Sequence, residues 1–529
     1  MKWKRPTAVW ALAAALLIPG TIFAQRRRGA PRRTSGMEQR GRVLPPIQYS
    51  EFRLPNGLRV IMHRDRSTPI VAVNLWYHVG SKNEVPGRTG FAHLFEHMMF
   101  QGSKNYDNDY FGPLQEAGGT LNGSTNPDRT NYWEVVPSNF LELALFLEAD
   151  RMGGLLEAMT EEKLANQRDV VKNEKRQNYD NQPYGLVRAR VAETMYPPAH
   201  PYHWLTIGSL DDLTAASMDD VKDFFRRFYT PNNASLAIAG DFDPAEARRL
   251  VEKHFGAIKR GPVVRKVRAP RPKLDREVRL TMEDRVTLPR VYKVWHAVPQ
   301  FSPDEAALDM LGNIMVGGGK SSRLYKSLVY EKQIAQDVAG FNQAGEIAGL
   351  MQVWATAKPG KSLAEIEAVI DGEIARIKAA PPTAEEMERA YNSIESGTIY
   401  GLQTVGGFGG KSDQLNLYAT YLNDPGYFEQ NLARYRRVTP ADVQRVARQY
   451  ITENRLVLTV TPRATGGATT GTPEGPPRNI ASPSQQTAGA VQSGQATQTG
   501  PGGAQTPAAS SQTPRTGAPQ PGVQQPGGD

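Results

Sequence analysis

A short pattern repeats at a fixed distance in this chain, and that repeat constrains the fold more than any other feature. Asp220, Val221, Arg226, Asn232 and Leu236 return as Asp442, Val443, Arg448, Asn454 and Leu458, each displaced by 222 positions. In both copies a helical pattern leads to an aromatic (Phe228, Tyr450), then a turn, then an alternating strand (Ser235–Ala239, Val457–Thr461). A constant offset with one order of elements points to an internal duplication. The halves are expected at 46–262 and 275–463, joined by a linker at 263–274 that is rich in proline and basic residues.

Each half mixes strands and helices. Leu58–His63 and Val71–His78 read as strands bounded by Asn56-Gly57 and Pro69. The spacing predicts helices over Gly90–Gln101 and Asn139–Met152, the latter with Ser138 as its N-cap. Glu161–Asn178 reads as a charged helix. Strands and helices do not alternate regularly, so the class is α+β in two homologous halves.

The chain has 529 residues and no cysteine, which excludes a disulfide framework and any thiolate metal site. Its ends read as accessory segments. Lys2, Lys4 and Arg5 precede an apolar run from Ala8 to Phe23, the pattern of a signal peptide over residues 1–24. The run is short for a bilayer span and broken by Pro19-Gly20, so no stable transmembrane anchor is expected. Residues 25–45 form a basic arm, and 464–529 a tail of Gly, Pro, Ser, Thr, Gln and Ala expected to be disordered. The net charge of +9 is local: of 63 Lys and Arg and 54 Asp and Glu, residues 1–45 hold ten and one, leaving 53 against 53. No nucleic-acid partner is implied. The expectation is an exported protein, periplasmic or secreted.

Chemistry concentrates in His93-Leu94-Phe95-Glu96-His97. On a helix, His93 and His97 lie one turn apart on one face and can share a zinc ion. Glu96 stands beside the second histidine, placed to act as general base toward a water at the metal. The order is that of the His-Glu-x-x-His motif reversed. A third ligand is needed. Glu174 is the best candidate, because it shares a helix face with Gln167, Val170 and Val171, and a carboxylate on a buried face requires a partner. Asp169, Glu161 and Glu162 compete with it at this level. His200 and His203 read as loop residues, and His63, His78, His254 and His296 as structural ones.

The segment Gly90-Phe91-Ala92-His93-Leu94-Phe95-Glu96-His97-Met98 resembles the pitrilysin/insulinase family, which includes the mitochondrial processing peptidase and smaller bacterial relatives. Asp169–Glu174, Gly119–Thr125 and Thr130-Asn131-Tyr132 carry the likeness further, as does the duplicated layout. The resemblance implies one zinc per chain on His93, His97 and Glu174, with Glu96 as base, and two similar halves closing on a peptide like a clamshell. It also implies substrate binding along an edge strand at Asn131–Val136, ended by Pro137, with Asn122, Asn131, Tyr132 and Trp133 as substrate-contacting residues.

Two departures qualify the likeness. Many relatives carry a glutamate seven residues before the third ligand; here it is Gln167, which can hydrogen-bond a ligand but brings no charge. In the second half, a family arginine and tyrosine that face the developing oxyanion are replaced by Tyr330 and Gln336 in Leu328-Val329-Tyr330-Glu331-Lys332-Gln333-Ile334-Ala335-Gln336. The expectation is therefore a zinc metalloendopeptidase whose missing donors come from a homologous subunit in a heterodimer, with a homodimer as the other arrangement. The rival is a structural or binding subunit of the same fold.

Overall fold

The computed structural model describes residues 47–463. The expected signal peptide, basic arm and tail lie outside the described residues. Six strands of the first half form one sheet: β1 (Ser50–Arg53), β2 (Arg59–Arg64), β3 (Ile70–Tyr77), β4 (Thr120–Thr125), β5 (Thr130–Pro137) and β6 (Ala234–Gly240), in the order β1-β2-β6-β3-β5-β4. Five strands of the second half form another: β7 (Val278–Asp284), β8 (Arg290–Ala297), β9 (Ala335–Ala344), β10 (Gly349–Ala357) and β11 (Leu456–Pro462), in the order β7-β11-β8-β10-β9. Dropping β1, the orders coincide, and so do the ladders. β2 runs parallel to β6 as β7 does to β11, and the remaining pairs are antiparallel. Residues 263–274 form neither helix nor strand. The molecule is thus two α+β halves of one clamshell.

The repeat read from sequence holds residue by residue where it was strongest. Helix Met218–Phe228 and strand β6 recur 222 positions later as helix Pro440–Tyr450 and β11. Both helices start with a capping box, Ser217 with Asp220 and Thr439 with Asp442. Elsewhere local expectation needed correction. Ser138 does not cap the following helix. It opens a short 3-10 turn, the helix Leu141–Ala158 begins only after it, and the Ser138 hydroxyl is buried without a hydrogen-bond partner. Because β5 runs straight into that turn, the chain needs another three residues to reach helical geometry.

Alternate residues on each strand serve two cores. In β6, Leu236 and Ile238 join the first-half core, whereas Ala237 points the other way. There it meets Ile61 of β2 and Leu415 and Ala419 from helix Lys411–Leu422 of the second half. The second sheet is treated alike. Val457 of β11 faces its own core, and Leu456, Leu458 and Val460 pack with Val187, Val191 and Met195 from helix Val187–Met195 of the first half. Each half therefore covers the outer face of the other's sheet with a helix. Among the described residues, no helix is long and apolar enough to cross a membrane.

A polar knot joins the halves at the β9–β10 turn. The Glu346 carboxylate accepts a hydrogen bond from buried Lys82 at 2.7 Å and lies 2.7 Å from His78 Nε2. The Glu346 backbone N–H donates to Asp128 at 2.9 Å, and Tyr202 links Asp128 (2.6 Å) to the Ile347 N–H (3.2 Å). Burial alone would raise the Glu346 pKa. The hydrogen bond to His78 and the Lys82 charge outweigh it and hold the carboxyl down at about 2. A depressed acid stabilises the fold above its ordinary value of 4.5 and loses that contribution as pH falls toward about 2. Glu346→Gln is expected to cost about 2 kcal/mol at neutral pH. In denaturant titrations the gap between wild type and variant should shrink as pH drops through that window; a gap independent of pH would contradict the ion pair.

Candidate metal centre

The helix bearing both histidines is short, Phe91–Met98, and its start is set by backbone geometry. Gly90 adopts φ 92°, and a Cβ there would lie 2.9 Å from the Ile207 carbonyl oxygen, so only glycine fits. No side chain at Gly90 caps the helix. Glu84 does so from a distance, its carboxylate accepting the Gly90 N–H at 3.0 Å and the Ala92 N–H at 2.8 Å. Burial pushes the Glu84 carboxyl up to about 8 against the pull of those two amides. Phe91, Leu94, Phe95 and Met98 fill the first-half core. His93 and His97 occupy the remaining side, with ring centroids 4.8 Å apart.

The facing helix, Glu161–Lys175, begins at Thr160, whose hydroxyl accepts the Lys163 N–H. Leu164, Gln167 and Val171 are its buried stripe. Glu174, one step further along, is half-buried and turned toward the histidines. Its Oε2 lies 3.3 Å from His97 Nε2 and 3.7 Å from His93 Nε2. Among the described residues, this is the one group of three or more His and carboxylate side chains placed to hold a metal ion, its donor atoms all within 4.8 Å of one another. Ligands on a tetrahedral zinc at ~2.0–2.1 Å stand roughly 3.3 Å apart, so the donor set fits that ion. The competitors are elsewhere: Asp169 is exposed and pairs with Lys172, and Glu161 and Glu162 are exposed in the first turn.

Electrostatics distinguish the two imidazoles. Burial, then the neighbouring His97, lowers the His93 pKa and favours the neutral, ligating form. Burial also opposes charge on His97, but hydrogen bonds to Glu174 and Gln167 and the charges of Glu96 and Glu174 win and raise it. Glu174 is correspondingly lowered, burial notwithstanding. Gln167 is buried beside His97. Glu96 is half-buried on the same helix, one residue before His97.

The substrate-edge expectation is corrected. β5 is not an edge: it lies between β3 and β4, and the two edge strands of the sheet are β1 and β4. Pro137 is the last residue of β5, where a missing N–H removes no interior ladder bond, so it did not mark an edge. Asn131 and Tyr132, expected to contact substrate, are buried. Asn131 donates to Asp413 at 3.1 Å and accepts from Ser124 at 2.7 Å, while the Tyr132 hydroxyl donates to the Phe95 carbonyl at 3.3 Å. Trp133 is half-buried with Phe408 edge-on at 5.5 Å. Asn122 is on β4 itself, half-buried, its side-chain oxygen accepting the Gly123 N–H at 2.7 Å. Tyr330 is exposed on the π-helical segment Tyr325–Glu331, and Gln336 is exposed on β9, one of the two edge strands of the second sheet. Glu84 and Tyr229 escaped sequence reasoning because their contacts to the histidine helix come from distant segments without periodic signal.

Known proteins share this layout. Residues 59–200 match the family model described as insulinase (peptidase family M16), and residues 215–394 match the peptidase M16 inactive domain. The zinc protease PqqE of Helicobacter pylori is 30% identical over 420 residues, covering 77% of this chain and 91% of that protein. A crystal structure of a protease from Helicobacter pylori superposes with a TM-score of 0.72 at 28% identity, over 79% of this chain and 100% of that one. The periplasmic protease PqqL from Escherichia coli shares the fold at a TM-score of 0.64 and 16% identity, over 79% of this chain but only 48% of its own. By model match and by relatives, the chain belongs to the insulinase family of peptidases, M16.

Proposed function

We propose that this chain is the zinc-bearing subunit of a metalloendopeptidase, with His93, His97 and Glu174 as ligands and Glu96 as general base. The observation that carries the reading is Glu174 Oε2 facing both imidazole Nε2 atoms from a separate helix. Relatives named zinc proteases support it. A zinc ion held there supplies Lewis acidity that polarises a peptide carbonyl and eases deprotonation of water at neutral pH. Glu96 takes that proton and returns it to the leaving amine, so hydrolysis needs no covalent intermediate. Gln167 orients His97 through its side-chain amide. The free edge of β4 offers main-chain donors and acceptors to an extended peptide, and Asn122 stands on that strand, which suits unfolded or exported polypeptides of varied sequence.

Tyr330 and Gln336 leave no arginine at the first position and no tyrosine at the second, and the fold likeness to a protease of which the matched region covers only 48% supports pairing with a second homologous chain. In this reading the partner's matching positions provide the arginine and tyrosine that meet the oxyanion. Export to the periplasm or beyond rests on the N-terminal signal pattern, and one protein of the same fold is named a periplasmic protease.

The metal assignment is checked by zinc content after gel filtration. Glu174→Gln is expected to lose most bound zinc, whereas Glu96→Gln should retain it and lose cleavage of an unstructured peptide by about 100- to 10,000-fold. Zinc retained by Glu174→Gln, or cleavage surviving in Glu96→Gln, would refute the assignment. The partner is checked separately. Adding a homologous chain that carries the Arg/Tyr pair should raise the rate by about 100- to 1,000-fold, and full activity of the isolated chain would sink that part.

A further inference from the structure

Two tyrosines reach the histidine-bearing helix from its buried side. The Tyr229 hydroxyl donates to the Ala92 carbonyl at 3.2 Å, and the Tyr132 hydroxyl to the Phe95 carbonyl at 3.3 Å. Both are fully buried, and burial raises both phenols far enough that they stay protonated donors. The accepting carbonyls are already used within the helix; Phe95, for example, also accepts the Met99 N–H at 3.0 Å. The tyrosines therefore rescue no orphaned groups, and their directional bonds answer some other need.

Both rings are themselves immobilised. Tyr132 lies against the Arg151 guanidinium at 4.1 Å from its centroid, with Tyr110 on Arg151 at 4.2 Å. Arg151 is buried and bonded to Glu148 at 2.8 Å. A fully buried charge pair is a costly device in a core that apolar residues could fill, and here it backs one of the two tyrosines. Tyr229 stacks on Phe225 at 5.3 Å and contacts Phe95 at 5.1 Å.

A helix of only two turns has little stiffness of its own. Its apolar face is held by contacts that are insensitive to small rotations, whereas hydrogen bonds weaken steeply with misalignment. We infer that Tyr132 and Tyr229 are positioning residues that set the rotation and depth of the Phe91–Met98 helix, and through it the aim of His93 and His97 at Glu174. This role rests on the zinc reading above.

The cluster contains its own control. Tyr77 packs against Tyr229 (5.0 Å) and Tyr132 (6.2 Å), but its hydroxyl is buried without a partner. Removing that hydroxyl perturbs the same core without touching the helix. Zinc affinity, measured by chelator competition alongside thermal melting, is therefore expected to fall about 10-fold in the double variant Tyr132→Phe/Tyr229→Phe, while Tyr77→Phe binds as the wild type does. Should the double variant not fold, each single variant carries the test with an expected loss of about 3-fold. Wild-type affinity in the folded tyrosine variants, or an equal loss in Tyr77→Phe, overturns the inference while leaving the zinc site standing. A wild-type chain that takes up no zinc overturns both.

Discussion

Everything in this molecule depends on how the two sheets cover their second faces. A strand alternates its side chains, so a sheet whose strands are apolar on both sides must be covered twice. One side of each sheet is covered by helices of its own half. The other is covered by a helix lent from the opposite half, Lys411–Leu422 on the first sheet and Val187–Met195 on the second. Neither half buries its apolar surface alone, so the duplication is more than a tandem of independent domains.

Within that frame both helices of the candidate metal centre are anchored. The histidine helix is fixed at its N-terminus by Glu84 and along its buried side by Tyr132 and Tyr229. The helix carrying Glu174 is anchored by Leu164, Gln167 and Val171. Between the halves, Lys82, Asp128, Tyr202 and Glu346 tie the ends of β4–β5 and β9–β10 together. Buried polar groups are tolerated where they are satisfied, and this knot brings together the turns that follow β4 and β9, one edge strand of each sheet.

The second half keeps the scaffold and not the chemistry. Its strand order and its capped terminal helix reproduce the first half, yet the metal-capable cluster among the described residues lies wholly in the first. Duplication preserves what packing requires, because core positions constrain volume and pattern. Ligands are constrained only by the ion they hold.

Much of this fold is written in local sequence signals. The 222-residue offset located matching helices and strands because capping boxes and alternating strands are local signals, written within a dozen residues. The His93–His97 spacing is likewise a property of one helix. The Ser138 cap failed because the entry angle of the helix is set by how β5 feeds the turn. The β5 edge failed because strand order depends on partners far along the chain. The α+β class, the repeat and the histidine pair are all encoded in short-range periodicity. It takes the folded chain to bring Glu174, rather than Glu161, Glu162 or Asp169, to those histidines, to leave β1 and β4 as sheet edges, and to set Tyr132 and Tyr229 against the histidine helix. Those are contacts between distant segments, and their geometry comes from packing that no local pattern contains.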